Sequence, residues 1–537
     1  MAADAVSSSA GGVIYLILSQ IISRGATFIL NQGILRYLSP SLLGVSVQLE
    51  LYIITVHHFA RECLRVATQR RPEGGIQAAI NLSYLAICAG LPITLLIGRY
   101  WGRPDVLYFE EALRICGMAA IVELLSEPAF VAVHQNMLYG TRAKAEAYAV
   151  ALKTVSTAGV VIYGHTQGIE TGALPFAVGE LVYCATLTLT YVWKTLPVAR
   201  HEGFTLLPKA IKESSSKDFV LSLFPKSLLN LSFWLYFQEG VKYFLNNSDV
   251  LASIAAVSLE DQGNYAISTN YGGLIARMVF RPIEDSSRNL FARLCSSPAQ
   301  EADAAKGKQV KISTETILDQ KSADIKQAAT ILMDILRVYN IVSLIIFAVG
   351  PSAAPLLLRL IAGSRWLDSG AGEVLGTYCY SIPLLAINGV SEAFVAATAT
   401  PSDLFRQSFV MGGCFAGFAG SAYFFLQVMG LGAKGLVFAN CVNMGLRIVY
   451  NLWFVRSYFG QKGQKFDLAD ILPNGAAMAA TVVVPSILSS AQKGGLLVHY
   501  GLMGDLVRVG VVGGSFAAFV LATEHRFFIE CYRKFRS

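Results

Sequence analysis

The apolar residues of this chain gather into runs of roughly 20, the length a helix needs to cross about 30 Å of hydrocarbon. These runs place spans near residues 12–38, 43–66, 76–98, 112–134, 145–163, 173–195, 219–245, 263–290, 326–350, 374–397, 404–428, 434–458, 470–490 and 503–523. Apolar character is continuous within each run and does not alternate, so helices are predicted and a transmembrane barrel is not. The expected fold class is an all-α polytopic membrane protein with about fourteen transmembrane helices. The first run is too long for the apolar core of a signal peptide and lacks an A-x-A-like site, so it is read as a retained span. Two polar stretches stand apart. Pro197 to Lys217 reads as a linker, and Arg293 to Lys326, which carries Lys306, Lys308 and Lys311, reads as a flexible polar loop.

Basic residues sort by loop parity. Loops after even-numbered spans hold Arg65, Arg70 and Arg71, then Arg142 and Lys144, then Arg200, Lys209, Lys212 and Lys217, and later Arg456, Lys462 and Lys465. The tail adds Arg526, Arg533, Lys534 and Arg536, whereas the odd loops are poor in Lys and Arg. Cytosolic loops are the basic ones, so both termini are expected in the cytosol. The sequon Asn246-Asn247-Ser248 then falls in a non-cytosolic loop, making Asn246 a candidate glycan acceptor close to a membrane boundary.

Composition agrees with this picture. The chain has 537 residues, 54% hydrophobic and only 15% charged, with a mean hydropathy of +0.50. A soluble surface needs nearer 25% charged residues. The net charge of +7 resides in loops as a topology signal, and no nucleic-acid partner is expected. Most of the nine cysteines lie inside apolar runs without metal-ligand or disulfide spacing, so they read as small apolar residues. No Walker A, H-E-x-x-H or C-x-x-C pattern is present. Catalytic residues, metal ligands and cofactors are therefore not expected, and the chain does not read as an enzyme.

Polar stripes inside the spans carry the functional signal, because an ionisable residue at membrane depth costs at least ~2.5 kcal/mol on insertion scales. In span 1, Gln20, Arg24, Thr27 and Asn31 follow i, i+4, i+7, i+11 and share one helical face. In span 12, Asn440, Asn443, Arg447 and Asn451 do the same. Span 2 ends in His58, Arg61, Glu62 and Arg65, and span 8 in Arg277, Arg281, Glu284, Asp285 and Arg288. Span 7 adds Lys226, Asn230, Glu239 and Lys242. Near span ends, as for Arg65, Arg288 and Lys242, buried ion pairs or snorkelling account for such residues. Arg24 and Arg447 lie deep with no acid on their own stripe, which points instead to a hydrated cavity. A guanidinium grips phosphate oxygens through forked hydrogen bonds, so a cavity lined by Arg and Asn suits a pyrophosphate bearing a sugar.

The chain also repeats itself. Gln32-Gly33-Ile34-Leu35-Arg36-Tyr37 resembles Glu239-Gly240-Val241-Lys242-Tyr243, and Gly44 through Arg61-Glu62 parallels Gly263 through Arg281 and Glu284. The spacing implies a parallel repeat of six spans each. The expected division is a first lobe at 1–196, a cytosolic linker at 197–217, a second lobe at 218–460, and two extra helices with a tail at 461–537.

Phe28-Ile29-Leu30-Asn31, Ile34-Leu35-Arg36-Tyr37-Leu38 and Phe59-Ala60-Arg61-Glu62 with Arg65 resemble the opening of the Rft family of eukaryotic endoplasmic-reticulum membrane proteins. Asp261-Gln262-Gly263-Asn264-Tyr265 and Phe280-Arg281-Pro282-Ile283-Glu284-Asp285 resemble that family's second hallmark. The family is similar to multidrug extruders and bacterial lipid-linked precursor flippases, which implies two six-helix lobes around a central cavity plus two additional C-terminal helices here. It also implies a role in moving dolichyl-pyrophosphate-linked Man5GlcNAc2 to the lumenal leaflet of the endoplasmic reticulum for N-glycosylation. Expected partners are that oligosaccharide lipid, membrane lipid and enzymes of the N-glycosylation machinery. The candidate substrate-binding set is Arg24, Asn31, Arg36, Arg61, Glu62, Arg65, Glu239, Arg277, Arg281, Glu284, Asn443, Arg447 and Asn451. Two other functions stay open at this point. One is a non-transport scaffold of the glycosylation machinery. The other is a cation-coupled drug antiporter, for which Glu123 and Glu127 in span 4 are the carboxylates in place.

Overall fold

A computed structural model of the protein describes residues 32–68, 75–136, 138–211, 219–295, 314–363, 365–494 and 501–536. The chain divides into two compact, helical units, Met1–Val250 and Leu251–Ser537.

In the first unit, α1 (Pro40–His57) starts where Ser39 Oγ accepts the Leu42 N–H at 3.3 Å and Pro40 supplies a preset φ. It runs without interruption into a five-residue π-helical segment, His58–Glu62, and then α2 (Cys63–Ala67). α3 (Gly75–Tyr100) is fastened to α1 by Tyr52 Oη, which donates to the Thr94 carbonyl at 3.0 Å. α4 (Phe109–Leu124) and α5 (Glu127–Gln135) form one span broken at Leu125–Ser126, with Pro128 in the first turn after the break. α6 (Tyr139–Gln167) and α7 (Leu174–Glu202) pair side by side. A short hairpin, β1 (Phe219–Val220) and β2 (Phe224–Pro225), precedes α8 (Lys226–Asn246). The unit's core is rich in alanine, with Ala78, Ala79, Ala112, Ala119 and Ala120 fully buried. Small side chains let the helices approach closely where lipid offers no hydrophobic drive.

The segment after α7 is anchored rather than free. Gln77, Asn81 and Tyr84 stand on one face of α3 and hold its backbone. Tyr84 Oη donates to the Leu206 carbonyl at 2.9 Å and Gln77 Nε2 to that of Leu207 at 3.1 Å. Asn81 Nδ2 reaches the Lys209 and Leu223 carbonyls at 2.8 and 3.1 Å, and its Oδ1 accepts the Lys209 N–H at 3.0 Å. The first six residues of the predicted 197–217 linker are helical, since α7 continues to Glu202.

In the second unit, α9 (Ser248–Ala256) leads into α10 (Leu259–Ile275), whose Ser258 cap accepts the Asp261 N–H at 3.1 Å. α10 ends in a second five-residue π segment, Ala276–Phe280, followed by α11 (Arg281–Leu294). A serine cap, a helix of similar length and a π segment thus recur where the sequence repeat aligns spans 2 and 8. α12 (Thr314–Ala362) has 49 residues and is followed by the one-turn α13 (Arg365–Asp368). α14 (Ala371–Tyr378) and α15 (Ser381–Thr398) again make one span with a break, at Cys379–Tyr380. α16 (Pro401–Tyr423) begins with a capping box between Thr400 and Asp403 and ends in a π segment, Phe424–Val428. α17 (Gly432–Gln461), α18 (Gly475–Gly494), α19 (Gly501–Thr523) and α20 (His525–Arg536) complete the unit.

The two additional C-terminal helices, α18 and α19, pack on α12 through Ile341, Ala348, Val484, Leu488, Phe516 and Val520. Glu524 staples them: it accepts from Arg337 Nη2 at 3.0 Å and from the Asn474 N–H at 2.5 Å. The predicted loop at 293–326 is corrected in part. Its last thirteen residues, 314–326, are helical, because α12 extends beyond the apolar span as a polar helix. Once a helix exists, each further turn costs little.

Nine helical stretches among the described residues are long and apolar enough to cross a membrane. α8, α10 with α11, α17 and the shorter apolar α18 are not among them. Those are the predicted spans 7, 8, 12 and 13, and charged and amide side chains interrupt the first three. The predicted span 1 lies outside the described residues.

Candidate functional site

The break between α4 and α5 keeps Glu123 and Glu127 on one face, where they meet the π segment and α2. Arg61 Nη2 lies 2.8 Å from Glu123 Oε1 and Nη1 3.1 Å from Glu127 Oε1. Arg65 forks onto Glu127, Nε to Oε2 at 3.0 Å and Nη2 to Oε1 at 2.6 Å, with its guanidinium carbon 3.8 Å from the centre of the Phe130 ring. Cys184 Sγ on α7 reaches Glu123 Oε2 at 3.2 Å. His57 Nε2 sits 3.1 Å from the Ala120 carbonyl, which leaves Nδ1 facing Glu123 at 3.8 Å. Two carboxylates and two guanidinium groups therefore balance inside the first unit. The π segment matters to this pairing. Its extra residue per turn rotates Arg61 relative to a continuous α-helix, and π segments recur at functional positions.

α8 is tied to the same segment. His58 Nε2 contacts the Glu239 carbonyl at 2.8 Å, Thr55 Oγ1 hydrogen-bonds Tyr243 Oη, and Glu239 pairs with Lys242 at 2.6 Å. Glu239 is buried while Phe233, Trp234 and Phe237 on the same helix are exposed, as expected of a helix with one face to protein and one to lipid.

In the second unit, Arg447 and Asn451 on α17 face α15. Arg447 Nη2 donates to Glu392 Oε2 at 2.7 Å, and Asn388 Nδ2 donates to the same oxygen at 3.1 Å. Asn451, fully buried, points Nδ2 at Asn388 Oδ1 and Ser391 Oγ, both at 3.4 Å. Among the described residues Arg447 Nε and Asn451 Oδ1 have no hydrogen-bond partner. Arg447 therefore keeps donor capacity that Arg61 and Arg65 have committed to carboxylates. Glu284 on α11 presses against α15 at Gly389, where any Cβ would run into its carboxylate.

The structure thus brings Arg61 and Arg65 together around acids that the sequence reading assigned to a different function. Arg447, with no acid on its own stripe, finds one on a neighbouring helix: Glu392 on α15. Glu239 pairs with Lys242 on its own helix, and its backbone carbonyl meets His58 of the π segment. Glu62 is half-buried next to Arg61, Arg36 is exposed in the turn before α1, and Arg281 is exposed at the start of α11. Asn443 is half-buried one turn before Arg447. Arg24, Asn31 and the side chains of Arg277 and Asn246 lie outside the described residues. Glu392, Asn388 and Ser391 escaped the sequence reading. The signal that could have found them was an acid inside an otherwise apolar run.

The profile of the family described as Rft protein matches residues 8–534. The chain is 30% identical over 526 residues to the Man(5)GlcNAc(2)-PP-dolichol translocation protein RFT1 of Yarrowia lipolytica, covering 90% of this chain and 75% of that protein. It is 30% identical over 503 residues to the protein of the same name from Xenopus tropicalis, covering 89% and 87%. Among solved structures, the lipid II flippase MurJ in an inward closed conformation aligns with a TM-score of 0.57 at 12% identity, covering 96% of this chain and all of that one. An inward-facing multidrug resistance MATE transporter of the MOP superfamily aligns with a TM-score of 0.50 at 14% identity, covering 81% and 95%. At these identities the two structures show a shared fold.

Proposed function

The chain belongs to the Rft protein family, and we propose that it translocates dolichyl-pyrophosphate-linked Man5GlcNAc2 across the endoplasmic-reticulum membrane, with both termini in the cytosol. The observation that carries this reading is the whole-length similarity to proteins named for that translocation. The site chemistry supports it. Arg447 Nε has no hydrogen-bond partner among the described residues, and Asn443 and Asn451 lie within one turn on either side of that guanidinium, a grouping of charge and amides that suits a phosphate beside sugar hydroxyls.

We assign the substrate-gripping part to Arg447 with Asn443 and Asn451, and to the exposed Arg36 and Arg281. Arg24, Asn31, Arg277 and Glu284 stay in the candidate set on sequence grounds. Arg61 and Arg65, bound by Glu123 and Glu127, act as positioning residues with Glu62 and Glu239 beside them. The lipid tail stays in the bilayer while alternating access carries the headgroup across, a role that calls for no catalytic residue or cofactor. The pairing of Glu123 and Glu127 with arginine argues against a cation-coupled antiporter, since such carboxylates are held as permanent ion-pair partners.

A second reading, a non-transport scaffold that contacts the N-glycosylation enzymes, draws on the charge-balanced first-unit network, which has the saturation of a structural element. Expression of the chain in cells depleted of their own family member tests the pathway role. Restored occupancy of N-glycosylation sites is expected; unrestored occupancy at normal protein level would contradict it.

A further inference from the structure

The two units hold their arginines differently. Arg65 forks onto Glu127, and neither side chain is more than 20% exposed. Arg447 reaches Glu392 through one hydrogen bond, Nη2 to Oε2 at 2.7 Å, and the two side chains are 29% and 36% exposed. An ion pair exposed to that degree at membrane depth belongs to a hydrated cavity rather than to lipid. Water screens it there, so the pair opens at small cost. Parting Arg65 from Glu127 would instead strand a charge away from water.

Glu392 is nevertheless held in place. Asn388, one turn earlier on α15, donates from Nδ2 to the same Oε2 at 3.1 Å. Asn388 Oδ1 in turn accepts from Nδ2 of the fully buried Asn451 at 3.4 Å. Glu284 on α11, itself beside Arg281, Asp285 and Arg288, lies within electrostatic reach of Glu392 and packs at Gly389, one turn away on α15. An anion approaching Arg447 therefore meets a carboxylate that already holds the guanidinium, with a second carboxylate close by. A translocated headgroup must leave its site as readily as it enters, and a competing acid weakens its hold.

We propose that Glu392 is a counter-ion latch: it holds Arg447 between substrates, yields it to the incoming pyrophosphate, and retakes it to release the headgroup. Glu392 is then a positioning residue acting through Arg447, which rests on the assignment of Arg447 to the substrate. Loss of the acid should tighten binding and slow turnover together, a split that a merely structural role would not produce.

The test titrates the purified full chain in detergent micelles with a short-chain prenyl-pyrophosphoryl-GlcNAc2 by microscale thermophoresis, beside translocation of the Man5GlcNAc2 lipid in liposomes. Glu392→Gln removes the charge but keeps an oxygen for Arg447 and Asn388. It should bind the probe about fivefold tighter, as when an exposed ion pair no longer competes for the guanidinium, and translocate more slowly than the parent. The gain in affinity should vanish in the Arg447→Ala background. Weakened binding in Arg447→Ala with unchanged or weaker binding in Glu392→Gln would overturn the latch and leave Arg447 on the substrate. Tighter binding that persists in the Arg447→Ala background, or that leaves translocation at the parental rate, would also overturn it. Parental binding in Arg447→Ala would remove Arg447 from the substrate, and the latch with it.

Discussion

Arg65 holds Glu127 through two parallel hydrogen bonds, at 3.0 and 2.6 Å, and Glu127 is at the same time 3.1 Å from Arg61. The Glu127 side chain is only 2% exposed, so one carboxylate neutralises the edges of two guanidinium groups where water cannot. Removing one partner of a buried ion pair costs about 3–5 kcal/mol, largely because the other charge is stranded. Glu127→Ala should therefore lower the melting temperature of the purified protein sharply. The double replacement Arg65→Leu with Glu127→Leu should recover part of the loss, since no charge is then left alone. A melt indistinguishable from the parent in Glu127→Ala would show that the network does not hold the first unit together.

Arg447 presents a different case. Lysine at 447 can keep a contact with Glu392 but cannot fork onto a phosphate. Charge-assisted hydrogen bonds contribute about 1.5–3 kcal/mol each, so Arg447→Lys should slow translocation roughly tenfold or more while sparing thermal stability. Equal activity of the lysine variant and the parent in a reconstituted assay would remove Arg447 from the proposed substrate contacts.

Gly389 and Gly445 make a matched pair. A Cβ at 389 would collide with the Glu284 carboxylate, and one at 445 would meet open space. Gly389→Ala is expected to cost about 1–3 kcal/mol by overpacking, with Gly445→Ala close to neutral. Thermal melts of the two variants compare them directly; equal melts would mean that Glu284 does not rest against α15.

Asn81 fixes the segment after α7 through three hydrogen bonds to the backbone. Asn81→Ala should expose the chain around Leu206 to Lys209 to limited proteolysis, and cleavage there should speed up relative to the parent. Unchanged cleavage would place the hold on Gln77 and Tyr84 instead.

Much of this fold was legible in the sequence, and the reasons are local. Apolar runs mark α3, α6, α7 and α19 because a membrane span must be apolar along its whole length. The repeat was legible too, in the matching blocks that begin at Gly44 and Gly263, and the structure adds a serine cap and a π segment to each. Partnerships were not legible. Arg447 finds Glu392, and Arg61 finds Glu123, across helices separated by about sixty residues in the chain, and no periodicity within one helix reports on the face of another. The polar start of α12 is not legible as helix because 314–326 has no apolar stripe, and only its continuity with the span makes it helical.

The most direct test of translocation is the purified protein in liposomes containing Man5GlcNAc2-pyrophosphoryl-dolichol, assayed with a membrane-impermeant mannosidase. If the protein moves this lipid, the enzyme should trim the whole pool in vesicles holding the parent and only the outer-leaflet share in protein-free vesicles, with Arg447→Ala approaching the latter. Trimming confined to the outer leaflet with correctly folded parent protein would contradict the account and favour the scaffold reading.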